Sequence, residues 1–552
     1  MQNRTRDTNS TNCHELRPSG FGFLSAFGFR VSGSRPGRAA FIRGSILLLS
    51  LTALRGFCAD PSDPVLDLLL QKGIVTEAEV QKAKAEAERI RTNEFANFMP
   101  PIESKWKISN AIKNIELFGD VRTRFEDRAV HDPEGGSINL QRFRYALRAG
   151  LRGEAFDDFY YGFRLETAAN PRSPWVTFGT SSSGVPYQGP FGKSTAGIAV
   201  GQLYLGWKGL DWLEITVGKM PNPLYTTPMV WDNDLQPEGI AEKFKYTVGG
   251  ADFFVTLGQF LYQDVNPVQS SPGYFNLPFN NSNPTFLLAW QAGVTFHFKT
   301  NISFKVAPTL YSYTGPGVNN TPVGGSFTPD FSGTFVGQGS TNGVNGGTAS
   351  SSGFPGGAYD GFAANQTGIN NLLVLEIPWE LNYNLEKVNL RLFGDYAQNL
   401  HGGSRAQAAF EAQQSPLLAS VGLQPIPSVQ GKDDKAYQFG FAIGSRESLG
   451  LVYGAKSLKH AWEVRTYWQH IEQYALDVNL IDSDFFEGRA NLEGIYSAVA
   501  YGLTDNVILT LRYGYANRIN DKLGTGGSNQ DIPQINPIHR YSILQADLSL
   551  RF

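Results

Sequence analysis

Residues 142–152 read Arg-Phe-Arg-Tyr-Ala-Leu-Arg-Ala-Gly-Leu-Arg. Arg142, Arg144, Arg148 and Arg152 fall on one phase of a two-residue period, with Ala146 and Gly150 between them. Phe143, Tyr145, Leu147, Ala149 and Leu151 fall on the other. Successive side chains of an extended chain point to opposite faces, so this is a strand with one apolar and one strongly charged face. The preceding stretch repeats the pattern: Leu117, Gly119, Val121, Thr123 and Phe125 alternate with Phe118, Asp120, Arg122, Arg124 and Glu126.

Working outward, the same period marks sixteen segments: 115–128, 142–153, 159–167, 198–208, 213–219, 240–248, 251–262, 286–298, 302–313, 372–384, 388–398, 435–444, 460–471, 493–503, 507–517 and 541–552. Connections after odd-numbered segments are long, from about 13 to about 58 residues. Those after even-numbered segments are short, except 445–459. Long loops on one rim and tight turns on the other are the layout of outer-membrane barrels. A sheet in hydrocarbon must close on itself, because lipid satisfies no edge N–H or C=O. The expected fold is therefore all-β: a transmembrane antiparallel β-barrel of about 16 strands (14–18), with a short N-terminal periplasmic helical segment. Aromatic residues near segment ends (Trp207, Trp212, Trp379, Trp462, Tyr541) suit interfacial girdles, or ordinary strand packing.

Composition agrees. The 552 residues hold 60 Gly, 13% aromatics and only 18% charged residues, which favours one large all-β domain over several soluble ones. Past the N-terminal region no apolar run is long enough to cross a bilayer as a helix. Arg35, Arg38 and Arg43, then the apolar run 46–54 and small residues to Ala59, read as an export signal over 1–59. Arg55 interrupts the cleavage region, and the long stretch before Arg35 suggests a later true start. Both cysteines, Cys13 and Cys58, lie in that segment, so the mature chain has no thiol. Cleavage after Ala59 leaves 39 basic and 48 acidic residues, a balance that opposes nonspecific nucleic-acid binding. Residues 60–100 differ: Asp63-Pro64 and the capping box Thr76-Glu77-Ala78-Glu79 open two short helices. They read as a periplasmic hairpin or linker, or as an oligomerisation or cell-wall-contact element. The barrel occupies 101–552.

Three stretches resemble the bacterial putative-porin family: Gly218-Lys219-Met220-Pro221-Asn222-Pro223 with Val230 to Gly239; Asp482-Ser483-Asp484-Phe485 with Gly488, Asn491 and Gly494; and Tyr501 to Val507. Leu68 to Thr76 is similar to the segment preceding such barrels. The resemblance implies an outer-membrane channel for passive diffusion of small polar solutes, selected by pore size and lumen charge. A solute-selective channel, for phosphate, other oxyanions or sugars, is the alternative. By analogy it also implies a homotrimer in contact with outer-membrane lipid and lipopolysaccharide. Phe552, ending an alternating strand, resembles the signal read by barrel-assembly machinery.

The expected lumen wall is Arg122, Arg124, Arg142, Arg144, Arg148 and Arg164, with Asp120, Glu126 and Glu166 among them. In sixteen-stranded porins the loop after the fifth strand commonly folds inward; here it offers Asp232, Asp234 and Glu238 as a constriction. Arginines facing loop carboxylates would set up a transverse field, or the charges would simply solvate a wide lumen and pair across strands. No catalytic residue, cofactor or metal is expected: His297, His401, His460 and His470 sit in no nucleophile–base or ligand pattern.

Overall fold

The computed structural model describes residues 72, 76–82, 111–133, 135–168, 172–179, 197–263, 285–315, 318, 369–413, 431–446, 448–454, 458–527, 531, 532, 535 and 537–552. The export segment 1–59, most of 60–100 and most of loop 314–371 lie outside them. Within the N-terminal region, helical turns over 77–82 follow Thr76, whose backbone N–H donates to Glu79 Oε2 at 2.9 Å. That is the reach-back half of a capping box.

Among the described residues, 111–552 carry eighteen strand segments: β1 (Glu116–His131), β2 (Ser137–Glu154), β3 (Phe159–Ala168), β4 (Val176–Thr177), β5 (Gly197–Leu210), β6 (Leu213–Lys219), β7 (Glu238–Val248), β8 (Ala251–Gln263), β9 (Thr285–Lys299), β10 (Ile302–Val306), β11 (Thr309–Thr314), β12 (Leu373–Asn384), β13 (Val388–Asn399), β14 (Lys435–Ser445), β15 (Trp462–Ile471), β16 (Leu492–Gly502), β17 (Val507–Arg518) and β18 (Arg540–Arg551). All join one antiparallel sheet, and β1 pairs with both β2 and β18, so the sheet closes. β10 and β11 are halves of one stave, since both lie between β9 and β12. The break falls at Ala307-Pro308, where proline has no N–H for the ladder. β4 is a two-residue piece of the loop after β3, paired with β2. The barrel therefore has sixteen staves, as the alternation predicts.

Register confirms the two faces. Leu544, Leu548 and Leu550 of β18 stand 45%, 46% and 46% exposed, while Ile543, Gln545, Asp547 and Ser549 are buried in the lumen. Phe143, Leu147 and Leu151 face out, and Arg144 and Ala146 face in. Phe552 pairs its backbone with Gly119 at 3.0 and 3.1 Å, extending the β1–β18 seam. A Cβ on Gly119 would lie 2.6 Å from the Phe552 ring.

One expectation is corrected, and one element was not foreseen. The first hairpin is short rather than long: β1 runs on to His131 and β2 starts at Ser137, leaving 132–136, closed by Gly136 N–H to Asp132 Oδ1 at 2.7 Å. Alternation continues there because Arg128 and Val130 are buried inward-facing residues. The long connection after β13 begins with a helix, α1 (Gly402–Gln413), that no period of two could signal.

Single cysteines at Leu548 and Ser549 test the two faces. A lipid-soluble quencher should reach a label on Leu548→Cys, and a water-soluble thiol reagent should modify Ser549→Cys. Equal behaviour of the two neighbours would contradict the register.

Candidate functional site

Loop 220–237, between β6 and β7, leaves the wall and crosses the lumen. Its sequence explains why. Met220, Leu224, Met229, Val230 and Trp231 are buried, and Trp231 lies 6.2 Å from the Phe260 ring and 6.4 Å from Tyr311 on the inner wall. At roughly 1.5–3 kcal/mol for each buried large apolar side chain, this docking offsets a large part of the cost of ordering the loop. Polar contacts fix its position. Thr226 Oγ1 donates to Glu376 at 2.6 Å, Thr227 Oγ1 to Asp395 at 2.5 Å, and Tyr225 exchanges backbone hydrogen bonds with the Gln291 amide at 2.9 and 2.8 Å.

Loop 472–491, between β15 and β16, folds inward beside it. Asp232 N–H donates to Leu480 O at 2.6 Å and Asp482 N–H to Pro228 O at 3.0 Å. The connection after β17 follows, held by Arg489. This arginine is fully buried and donates to Ile532 O at 2.6 Å and Ile535 O at 2.9 Å.

The wall arginines of β1 and β2 meet these loops in direct contact. Arg124 donates through Nε to Asp547 at 2.7 Å and through Nη1 to Asp484 at 2.7 Å, and lies 4.0 Å from the Trp175 ring centroid. Arg148 Nη2 donates to Asp234 Oδ1 at 2.5 Å. Arg142 reaches Asp531 at 2.6 Å. Glu126, with no exposed surface, accepts from Arg142 at 2.7 Å, Arg128 at 3.1 Å and Gln545 at 2.9 Å. Arg122 pairs with Asp120 at 2.6 Å and Arg164 with Glu166 at 3.0 Å. Arg144 is the most loosely paired, with Glu126 at 3.9 Å and Trp175 O at 3.3 Å. A cavity of about 470 Å³ remains between wall and loops, lined by Arg122, Arg124, Arg144, Arg148, Asp232 and Asp234 among others.

The geometry revises the sequence reading of three features. Arginines and loop carboxylates touch, rather than facing each other across open water. Glu238 is not in the inward loop: it is the first residue of β7 and pairs with Lys219 at 2.6 Å. The charged wall extends beyond the residues expected on the first strands, since Lys243, Lys305, Arg391, Arg465, Arg512 and Arg551 share the inner phase of later staves. Asp547 was legible as the inward phase of the last strand. Trp175, Asp484 and Asp531 sit on loops, where no period signals direction.

The carboxylates at the loop seam are split. Burial, with Asp482 and Asp234 close by, pushes Asp232 well above the usual carboxylate range. Burial and the neighbouring Asp484 push Asp482 up to about 7. Asp484 goes the other way: burial opposes its ionisation, but Arg124 outweighs it.

A closed barrel with a greasy exterior and a charged, water-accessible lumen defines a class, the porin-type diffusion channel. The chain belongs to the putative-porin family, whose profile matches residues 134–552. No curated protein sequence matches it. Among solved structures it is similar to OprB of Pseudomonas putida (11% identity, 80% of this chain and 94% of that one, TM-score 0.39). It is also similar to OmpF of Salmonella typhi in complex with daunomycin (9%, 81% and 99%, 0.38). A third is an anion-selective porin from Comamonas acidovorans (10%, 80% and 99%, 0.36). The protein is a channel through which small polar solutes diffuse.

Arg124→Ala leaves Asp547 to Arg512 alone and Asp484 with only Arg128, 3.9 Å away, and should cost about 1.5–3 kcal/mol, read as a lower denaturant midpoint of the refolded barrel. A raised carboxyl stabilises the fold fully below its unfolded value and loses that contribution as pH rises through its folded value. For Asp482 that window runs from 3.8 to about 7. Asp482→Asn should therefore be more stable than wild type above the window and match it below, in denaturation midpoints measured at both ends.

Proposed function

We propose that the protein is a general porin of the outer membrane with a preference for anions. The observation that carries the preference is the distribution of cations around the lumen. Most wall arginines are matched by a carboxylate, but Lys243 and Lys305 form no ion pair among the described residues. Lys305 Nζ instead lies 3.6 Å from the Tyr225 ring centroid, beneath the inward loop. Glu214 and Glu380 stand opposite the two lysines on neighbouring staves but beyond ion-pair contact, and an ammonium so loosely compensated leaves positive potential for a mobile anion to neutralise.

The wider reading rests on sequence. Residues 1–59 direct export, 60–100 form a periplasmic element, and 101–552 form the barrel. Phe552 is the assembly signal, lipopolysaccharide and outer-membrane lipid surround the apolar face, and the working unit is a homotrimer. Arg122, Arg124, Arg142, Arg144, Arg148 and Arg164 line the pore with Asp120, Glu126 and Glu166, and Asp232 and Asp234 narrow it. No covalent chemistry is assigned, since diffusion needs none.

Planar-bilayer recordings under a potassium chloride gradient test the preference. The reversal potential should have the sign set by chloride, and Lys243→Glu with Lys305→Glu should shift it toward potassium. A potassium-dominated potential in wild type, unmoved by those changes, would overturn the anion reading.

A further inference from the structure

Turn-side connections among the described residues are tight: 155–158, 211–212, 249–250, 300–301, 385–387 and 503–506. The connection between β14 and β15 is not. It spans 446–461, and its residues 448–454 fold back into the barrel mouth. Leu451 and Val452 are 1% and 2% exposed, and together with Tyr453 and Gly454 they line the same cavity that the inward loops border from the opposite end.

The fold-back is held by dedicated contacts. Glu463 of β15, with no exposed surface, accepts the backbone N–H groups of Gly450 and Val452 on one oxygen, both at 2.9 Å. Arg465 donates to its other oxygen at 3.1 and 3.0 Å. Two N–H groups on one buried carboxylate oxygen form a strong anchor, because charge-assisted bonds gain strength away from water. Arg512 Nη2 donates to Val452 O at 3.1 Å from two staves further on. The Ser448 hydroxyl lies 2.6 Å from Ser445 O and 2.7 Å from Trp462 O.

Two glycines make the bend possible. Gly450 at φ 103° and Gly454 at φ 85° bracket the short helical turn Leu451–Tyr453 in the left-handed region that side chains disfavour. A Cβ on Gly454 would also fall on the Arg551 guanidinium, so the loop rests against the last stave. A solvated turn needs none of these devices.

We propose that residues 450–454 form a second constriction at the turn-side mouth, with the Tyr453 side chain setting its width and Glu463 as the positioning residue. Tyr453 is placed to do so, because the residue is 42% exposed and the Arg465 guanidinium lies over its ring, 4.7 Å from the centroid. A solute leaving the central cavity meets a phenol flanked by Arg465, Arg512 and Arg551. The inference rests on the porin reading and adds that the lumen narrows twice, from opposite rims.

Purified full-length mature protein in planar bilayers decides it. Tyr453→Ala should raise single-channel conductance about two-fold and admit larger poly(ethylene glycol) probes, because width at a constriction limits flow. Glu463→Gln should weaken the anchor and move both readouts the same way. Tyr453→Cys, the sole thiol once residues 1–59 are removed, should let a bulky charged thiol reagent block the current. Wild-type conductance and probe exclusion in Tyr453→Ala, with unblocked Tyr453→Cys, would overturn the second constriction while leaving the porin reading intact. Wild type that passes no ions would overturn both. Should Glu463→Gln fail to fold, the Tyr453 variants still decide, since that ring is partly solvated and its loss should spare the barrel.

Discussion

Everything in this protein depends on the pairing of β1 with β18. Eighteen strand segments carry backbone donors and acceptors on both edges, and only a closed ladder leaves none unpaired. Twelve register partners run from Asp120↔Arg551 to His131↔Arg540, and Gly119 with Phe552 adds one more. Closure gives each stave a single inner and a single outer phase. It therefore decides which half of every alternating segment touches solute.

The charged phase turned inward creates a second problem. Arginines on neighbouring staves repel one another unless something negative comes between them. Part of the answer lies within the wall, as in Glu126 among Arg128 and Arg142, and part comes from loops, as in Asp484, Asp234 and Asp531. The loops gain apolar docking from residues such as Trp231 and supply carboxylates in return. Lumen width and lumen charge are thus set by the same segments. A change in one alters the other.

The staves were readable because a two-residue period survives wherever one face meets lipid and the other water. That is why Leu544, Leu548 and Leu550 against Asp547 and Ser549 locate the last strand unaided. Reading failed where the period is interrupted or continued unexpectedly. Pro308 splits one stave, and the alternation through Arg128 and Val130 lengthens the first hairpin. The inward arginines were legible individually, but their partners were not. Arg124 and Asp547 are 423 residues apart and Arg124 and Asp484 are 360 apart, and no local pattern reports such a contact. The fold-back at 448–454 was visible only as an oddly long turn. Its cause, a buried Glu463 reaching two backbone amides, is a tertiary fact.

Those same separations shape how the chain acquires its form. The first hairpin carries some of its own counterions, as Glu126 does for Arg142, but the close partners of Arg124 arrive with the final third of the polypeptide. Until then the Arg124 guanidinium is left to water, which keeps that part of the nascent sheet hydrated. Contacts this distant in sequence make assembly slow, since long intervening stretches must be brought together before any pairing repays them. The polar face of the first hairpin is thus completed only when the last strand reaches it.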